Sequence, residues 1–260
     1  MAEKKEVVVA TDSHVVPIVY DSDMLSQGTG LEEAGAGDYA IPFLRVLQSM
    51  SPQLKKSDGQ YIQGAEEGNL YNTVSGNVYD GNTGVEIVPC AYKKKFIEWV
   101  TREQGGGFVT DEHSANDLKS CTKDDSGRFI LPNGNQLSET VEYYSLICEN
   151  EHAPEEVLLS LTSSALGFSR RWNTMMNTTR VMDSEGNAVQ APMFAYIYKL
   201  TTVAVSNDQY SWMGLSVEKA RPTPPHLAKD ALSFMKAARA GDVQVKQEQE
   251  GVSDSEDVPF

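Results

Sequence analysis

The chain has 260 residues, 40% of them hydrophobic, and a formal net charge of −15. That length fits one domain with extensions, or at most two; no apolar run approaches the roughly 18 residues of a membrane-spanning helix, and the Val7–Ala10 run is too short for a secretory signal. The acidity lies at the ends: residues 1–40 carry eight acids against two lysines, and residues 241–260 carry six against one, which leaves −4 for the body and room for a local basic groove.

Residues 1–37 are polar and Gly-rich and are expected to form a largely disordered acidic arm. Tyr39–Met50 is the first stretch fit to pack, and the turn-rich sequence after it, with Ser75-Gly76-Asn77 and Asp80-Gly81-Asn82, predicts short strands. Val85–Val100 (VEIVPCAYKKKFIEWV) reads as one long strand bulged at Pro89. Residues 101–140 are polar and Gly-containing, which predicts a long loop or mobile hairpin. Val141–Cys148 and Val157–Leu161 are the second and third strands. Ala165, Phe168, Trp172 and Met175 then recur at spacings of three and four, the period of an amphipathic helix, with Thr162 or Ser163 as its cap. Ala191–Val205 and Tyr210–Val217 are the last strands, joined by a turn at Asn207-Asp208. Pro222-Thr223-Pro224-Pro225 excludes helix. His226–Ala240 aligns Leu227, Ala231, Phe234, Met235 and Ala238 on one face, to be packed on the barrel or on a second subunit, and Gly241 stops it.

The order of three strands, a helix and two strands predicts a mainly β fold: an OB-fold-like five-stranded barrel over residues 38–221, with one helix between strands 3 and 4. Other small barrels accept the same order. The insert at about 101–140 falls between the first two strands, where an OB-fold carries a nucleic-acid-contacting loop. A C-terminal helix over 222–240 and a disordered acidic tail over 241–260 complete the reading.

Binding a single strand without sequence preference needs cations for the phosphates and rings for the bases. Three places offer both. Tyr92, Lys93, Lys94, Lys95, Phe96 and Trp99 form the densest, with Lys93, Lys95 and Trp99 on one strand face and Tyr92, Lys94 and Phe96 on the other. Arg170 and Arg171 lie on the predicted helix beside a core Trp172. Phe194, Tyr196 and Tyr198 alternate along a strand as a ring ladder, which is also the pattern of half a barrel core.

No phosphate-cradling glycine loop, nucleophile elbow or metalloprotease helix is present, so no enzyme, cofactor or catalytic residue is expected. Cys90, Cys121 and Cys148 lie far apart without a C-x-x-C pair; a zinc site shared with His113 or His152 lacks the usual spacing, and reduced, partly buried thiols in a cytoplasmic protein are expected.

The chain finishes Asp254-Ser255-Glu256-Asp257-Val258-Pro259-Phe260. An acidic run, a branched aliphatic, proline and a final phenylalanine resemble the tail of bacterial single-stranded DNA-binding proteins, and phage replication binders likewise end in acids and an aromatic. Phe260 offers a ring and a carboxylate together, Pro259 lowers the ordering cost, and Asp254, Glu256 and Asp257 steer encounter with basic surfaces. The resemblance implies capture of a polymerase, primase, helicase or nuclease by Asp254, Glu256, Asp257, Val258, Pro259 and Phe260, and competition of the tail with DNA for the groove. The body, in GDYAIPFLRVLQSMSP and the segment from Tyr71 to Trp99, is similar to phage-encoded early proteins and points to the host cytoplasm.

The expected function is protection of single-stranded DNA in replication, recombination or repair, by a chain able to form a homo-oligomer and without membrane contact. Its rivals are an acidic DNA mimic that inhibits a host enzyme and a strand-annealing mediator.

Overall fold

The computed structural model describes residues 21–33, 40–208 and 211–245. One helical turn, α1 (Ser22–Leu25), falls within the expected N-terminal arm. A small antiparallel sheet follows, β1 (Leu44–Val46), β2 (Leu70–Asn72) and β3 (Val78–Tyr79), in that spatial order. Gly76, at φ 74°, takes the left-handed conformation that turns β2 into β3.

The main sheet is antiparallel, curled into a half-barrel, and built on β4 (Val85–Trp99). The expected bulge is present: the register with the neighbouring strand shifts between Pro89 and Ala91, which turns the strand and lets Pro89 sit without donating to the ladder. After β4 come β5 (Phe108–His113), β6 (Thr122–Lys123), β7 (Phe129–Ile130), β8 (Gln136–Ile147) and β9 (Glu155–Thr162). The insert is therefore an ordered structure and not an open loop. It is held by Phe96, Leu131 and Leu137, with Leu118, Cys121 and Phe129 packed on them. The alternation that marks a strand is too short in β5, β6 and β7 to be read among so many polar residues.

Helix α2 (Leu166–Thr178) follows β9 as its three-and-four spacing predicts, but without the expected cap. A 3-10 turn at Ser163–Ala165 intervenes, Ser163 takes φ 50°, and neither Thr162 nor Ser163 bonds a helix amide through its side chain. Next comes an unforeseen hairpin, β10 (Arg180–Met182) and β11 (Ala188–Gln190), whose turn is tied by Asp183 Oδ1 accepting from the amides of Glu185 and Asn187. Strand β12 (Tyr196–Ser206) starts five residues later than the expected Ala191, because Met193–Ala195 forms a 3-10 turn. Strand β13 (Ser211–Pro222) runs beyond the expected Val217; the expected first residue, Tyr210, lies outside the described residues. Helix α3 (Pro225–Ala240) begins on the last proline of the spacer, since proline suits the first helical position, and ends at Gly241 in the left-handed conformation.

The five long strands pair in the order β13-β12-β4-β8-β9, with α2 inserted between β9 and β12 in the chain. The gap between the two ends of this curl is filled by the segment around β1. Leu158 N–H donates to Pro42 O on the β9 side, while the Gln48 side chain donates to Met213 O (2.8 Å) and accepts from Met213 N–H (2.9 Å) on the β13 side. A glutamine amide thus takes the place of a strand pair.

Each face of the sheet has its own core. Trp172, Phe168 and Met176 of α2 pack on Tyr143, Val141, Leu159, Tyr198 and Leu200. Leu227, Ala231, Phe234 and Ala238 of α3 pack on Val88, Tyr144, Leu146 and Leu158. Helix α3 therefore covers this chain's own sheet. Val243 and Val245 join that core, and Ile41 N–H donates to Gln244 O, so residues 243–245, counted with the expected tail, pack on the fold. Asp254, Glu256, Asp257, Val258, Pro259 and Phe260 lie outside the described residues.

Candidate nucleic-acid interface

Tyr92, Lys93, Lys94 and Lys95 divide between the two faces as strand alternation requires. Lys93 and Lys95 project to the α3 side. There Lys93 Nζ stands 5.1 Å from the centre of the Tyr144 ring, and Lys95 Nζ meets Asp111 Oδ2 at 2.7 Å and Glu142 Oε2 at 3.4 Å. Glu142 is fully buried. Burial pulls the Lys95 pKa down, but the hydrogen bond to Asp111 and the charge of Glu142 outweigh it and raise the pKa above its ordinary value. Lys95 is thus committed to two carboxylates, and a phosphate would have to displace them.

Tyr92 and Lys94 project to the α2 side. Tyr92 is 37% exposed and meets Tyr143 edge-on, with ring centres 5.2 Å apart. Lys94 is exposed and pairs with Glu139. Phe96 and Trp99 are buried, Phe96 in the insert core and Trp99 against Phe108 (5.9 Å), so burial removes both rings from the stacking surface expected of them.

The predicted ring ladder does not form on one face. Phe194, in its 3-10 turn, packs on the α3 side; Tyr196 and Tyr198 face α2. Tyr198 is a core residue, edge-on to Trp172, and is corrected from a DNA contact to a core ring. Tyr196 is half-buried and carries the Lys219 ammonium 4.6 Å above its ring.

Arg170 and Arg171 are exposed on α2, and among the described residues neither has a carboxylate partner. One turn on, Asn173 and Asn177 line an open pocket of about 180 Å³ together with Tyr92, Met176, Gln190, Ala191 and Met193. The amides are held in place. Tyr143 Oη donates to Asn173 Oδ1 (2.9 Å), and Gln190 Nε2 donates to Asn177 Oδ1 (2.8 Å). Burial pushes the Tyr143 phenol up, so it stays protonated and able to donate. At the C-terminal end of α2, Arg180 Nη1 donates to Asn177 O and Thr179 O, and Lys219 Nζ to Thr179 Oγ1. This surface therefore joins an exposed ring, three oriented amides, and the cations Arg180 and Lys219, with Arg170 one helical turn before Asn173. Asn173, Asn177, Gln190, Arg180 and Lys219 escaped sequence reasoning. Their one signal was the i, i+4 spacing of Asn173 and Asn177 on the polar side of a helix already located.

Cys90 and Cys148 sit in the α3-side core, where burial raises both thiols, Cys148 to about 12; Cys121 belongs to the insert. The three are not brought together, and among the described residues no cluster of metal-ligating side chains occurs. Among the described residues no helix is long and apolar enough to cross a membrane.

A family model for the Pam3 phage gp34-like protein matches residues 8–244, and the chain belongs to that family. No curated protein and no solved structure matches it.

Proposed function

We propose that this phage-family protein binds single-stranded DNA across the α2 face, in the host cell, during replication, recombination or repair. The observation that carries the reading is an exposed Tyr92 ring that lines one pocket with Asn173 and Asn177 of α2, the helix whose Arg170 stands one turn before Asn173 and, like Arg171, has no carboxylate partner among the described residues. A ring accepts a base by stacking, and guanidinium groups take the phosphates on either side. The pairing order β13-β12-β4-β8-β9, with a helix between β9 and β12, supports an OB-like reading of the half-barrel.

The test is fluorescence anisotropy with a labelled oligo-dT and a duplex of equal length at two salt concentrations. Preference for the single strand, weakening with salt, is expected. Arg170→Ala with Arg171→Ala should lower the slope of log affinity against log salt by about 1.4, the loss of two phosphate contacts on a single strand. No binding to either nucleic acid would leave an acidic interaction protein in its place.

The tail reading rests on the sequence of residues 254–260 alone. Deleting Val258–Phe260 should abolish retention of a replication polymerase, primase, helicase or nuclease on immobilised full-length protein and leave DNA affinity unaltered. Equal retention by the truncated chain would refute it.

A further inference from the structure

We propose that the C-terminal end of α2 carries an anion site, built from Arg180 and Lys219, for one phosphate group, which the bound strand supplies. The inference rests on the single-strand reading above and adds a phosphate contact at the opposite end of the pocket from Arg170.

Two segments of the chain bring their cations to one residue. Thr179 ends α2 and is buried. Lys219 follows Leu215 and Val217 on the α2 face of β13, and its Nζ donates to Thr179 Oγ1 at 2.8 Å. Arg180 begins β10, and its Nη1 donates to Thr179 O at 3.1 Å and to Asn177 O at 2.7 Å. Both cationic residues are exposed, and among the described residues neither has a carboxylate partner. The acids closest in the chain are engaged elsewhere. Glu218 lies on the opposite face of β13. Asp183 accepts the amides of Glu185 and Asn187 through Oδ1 and the Asn187 side chain through Oδ2 (3.2 Å). From residue 157 to residue 182 the chain holds three arginines and no Asp or Glu, in a protein of net charge −15.

Helix capping accounts for one of the two cations. Arg180 satisfies carbonyls of the last turn, where the helix dipole amounts to about half a negative charge. Lys219 bonds a hydroxyl and no helix carbonyl, and it comes from a distant strand. The Tyr196 ring, 4.6 Å from the ammonium, holds it by cation–π attraction without neutralising it. Two cations against half a negative charge leave a surplus of about 1.5 charges at one exposed point. An anion placed between them relieves their repulsion. Phosphate is the anion that an ammonium and a guanidinium both bind well. It would stand beside the pocket, because Asn177, whose carbonyl Arg180 holds, is one of the lining residues. Arg170 lies seven residues, about 10 Å, before Asn177 on the same helix. A strand whose base rests on Tyr92 thus has a cation at either end of the pocket.

A phosphate reaches this site within a DNA strand or as a free anion, and the experiment separates the two. Full-length protein is titrated by anisotropy with labelled oligo-dT over a range of salt concentrations. The Arg180→Gln, Lys219→Gln double variant should lower the slope of log affinity against log salt by about 0.7, the loss of one phosphate contact on a single strand. Glutamine at 219 keeps a donor for Thr179 and removes the charge, and circular dichroism confirms the fold. Lys219→Arg keeps the charge and should keep the wild-type slope. Should the double variant not fold, Lys219→Gln alone, which leaves the helix carbonyls their guanidinium, is still expected to lower the slope. Thermal unfolding in inorganic phosphate and in chloride of equal ionic strength reads the free anion. A midpoint raised by phosphate in the wild type and not in the variant, with the slope on oligo-dT unaltered, would keep the site and assign it to free phosphate. An unaltered slope with no such rise would overturn the proposal. Failure of oligo-dT to bind at all would sink the single-strand reading alone, and the same thermal comparison then decides the anion site by itself.

Discussion

The two faces of β4 hold the same kinds of residue and use them differently. On the α3 face Lys93 and Lys95 lie over a buried tyrosine and a buried glutamate, and Lys95 closes two ion pairs. On the α2 face Tyr92 stays exposed, and Arg170 and Arg171 of α2 meet no carboxylate among the described residues. A lysine run that is the densest basic feature in the sequence is thus partly spent on neutralising acids brought by the insert and by β8. A cation's value to a ligand depends on what already satisfies it, and that is a property of the pairing of strands and not of the run itself.

Lys95→Ala gives this contrast its hardest test. Removing the ammonium takes the Lys95 charge, at 3.4 Å, from the fully buried Glu142, whose bond from Tyr144 Oη at 3.3 Å is unaffected. Weakening the pairing of a buried carboxylate is costly, and a loss of about 3 kcal/mol in urea unfolding is expected, with oligo-dT affinity unaltered. Lys94→Ala, which breaks an exposed pair with Glu139, should cost under about 1 kcal/mol. If Lys95→Ala weakened DNA binding and left stability intact, the assignment of the two faces would be reversed.

Tyr92→Ala makes the opposite prediction. The ring is exposed and contributes one edge contact to the core, so the loss of stability should be small. The loss of oligo-dT affinity should be about 1–3 kcal/mol, the worth of one base stacked on an aromatic ring. Tyr92→Phe keeps the face and should restore binding. An unchanged affinity in Tyr92→Ala would remove the ring from the interface.

The long elements were legible in the sequence because burial on one side writes a period into them. Trp172 and Phe168 mark the helix, and the bulge at Pro89 follows from proline's missing amide hydrogen. The insert and the β10–β11 hairpin were not legible. Their strands are two to six residues long, and polar side chains such as Asp183 and Asp124 fold them through turns. The candidate site was half legible. Arg170, Arg171, Tyr92 and Tyr196, all read from the sequence, lie on α2 or on the sheet face turned toward it. Burial withdrew Phe96, Trp99 and Tyr198, because a ring's exposure depends on what packs against it from elsewhere in the chain.

The insert supplies the finest comparison with the helical faces, since its anchor is polar and titratable. Glu98, 5% exposed on β4, accepts hydrogen bonds from Asn135 (2.6 Å) and Asn133 (2.8 Å) and pairs with His113 Nε2 (2.6 Å). Burial works against the Glu98 carboxylate, but the bonds from Asn135, His113 and Asn133 together outweigh it and hold its pKa below the ordinary 4.5. The hydrogen bond to Glu98 lifts the His113 pKa above the ordinary 6.5. For a depressed carboxylate, the stabilisation is complete above its unfolded value and is lost as pH falls through the folded one. For a raised histidine, it is complete below its unfolded value and is lost as pH rises through the folded one. The insert should therefore be held most firmly between 4.5 and 6.5 and loosen on both sides, first above 6.5 at working pH. Hydrogen exchange at the amides of residues 108–135, corrected for intrinsic rates, reads this directly, with the β8–β9 amides as the reference that stays flat. His113→Gln keeps a donor to Glu98 without a titrating proton, so its alkaline limb should vanish while the acid limb remains. An alkaline limb that survives the substitution would mean that another group, and not His113, ties the insert to β4.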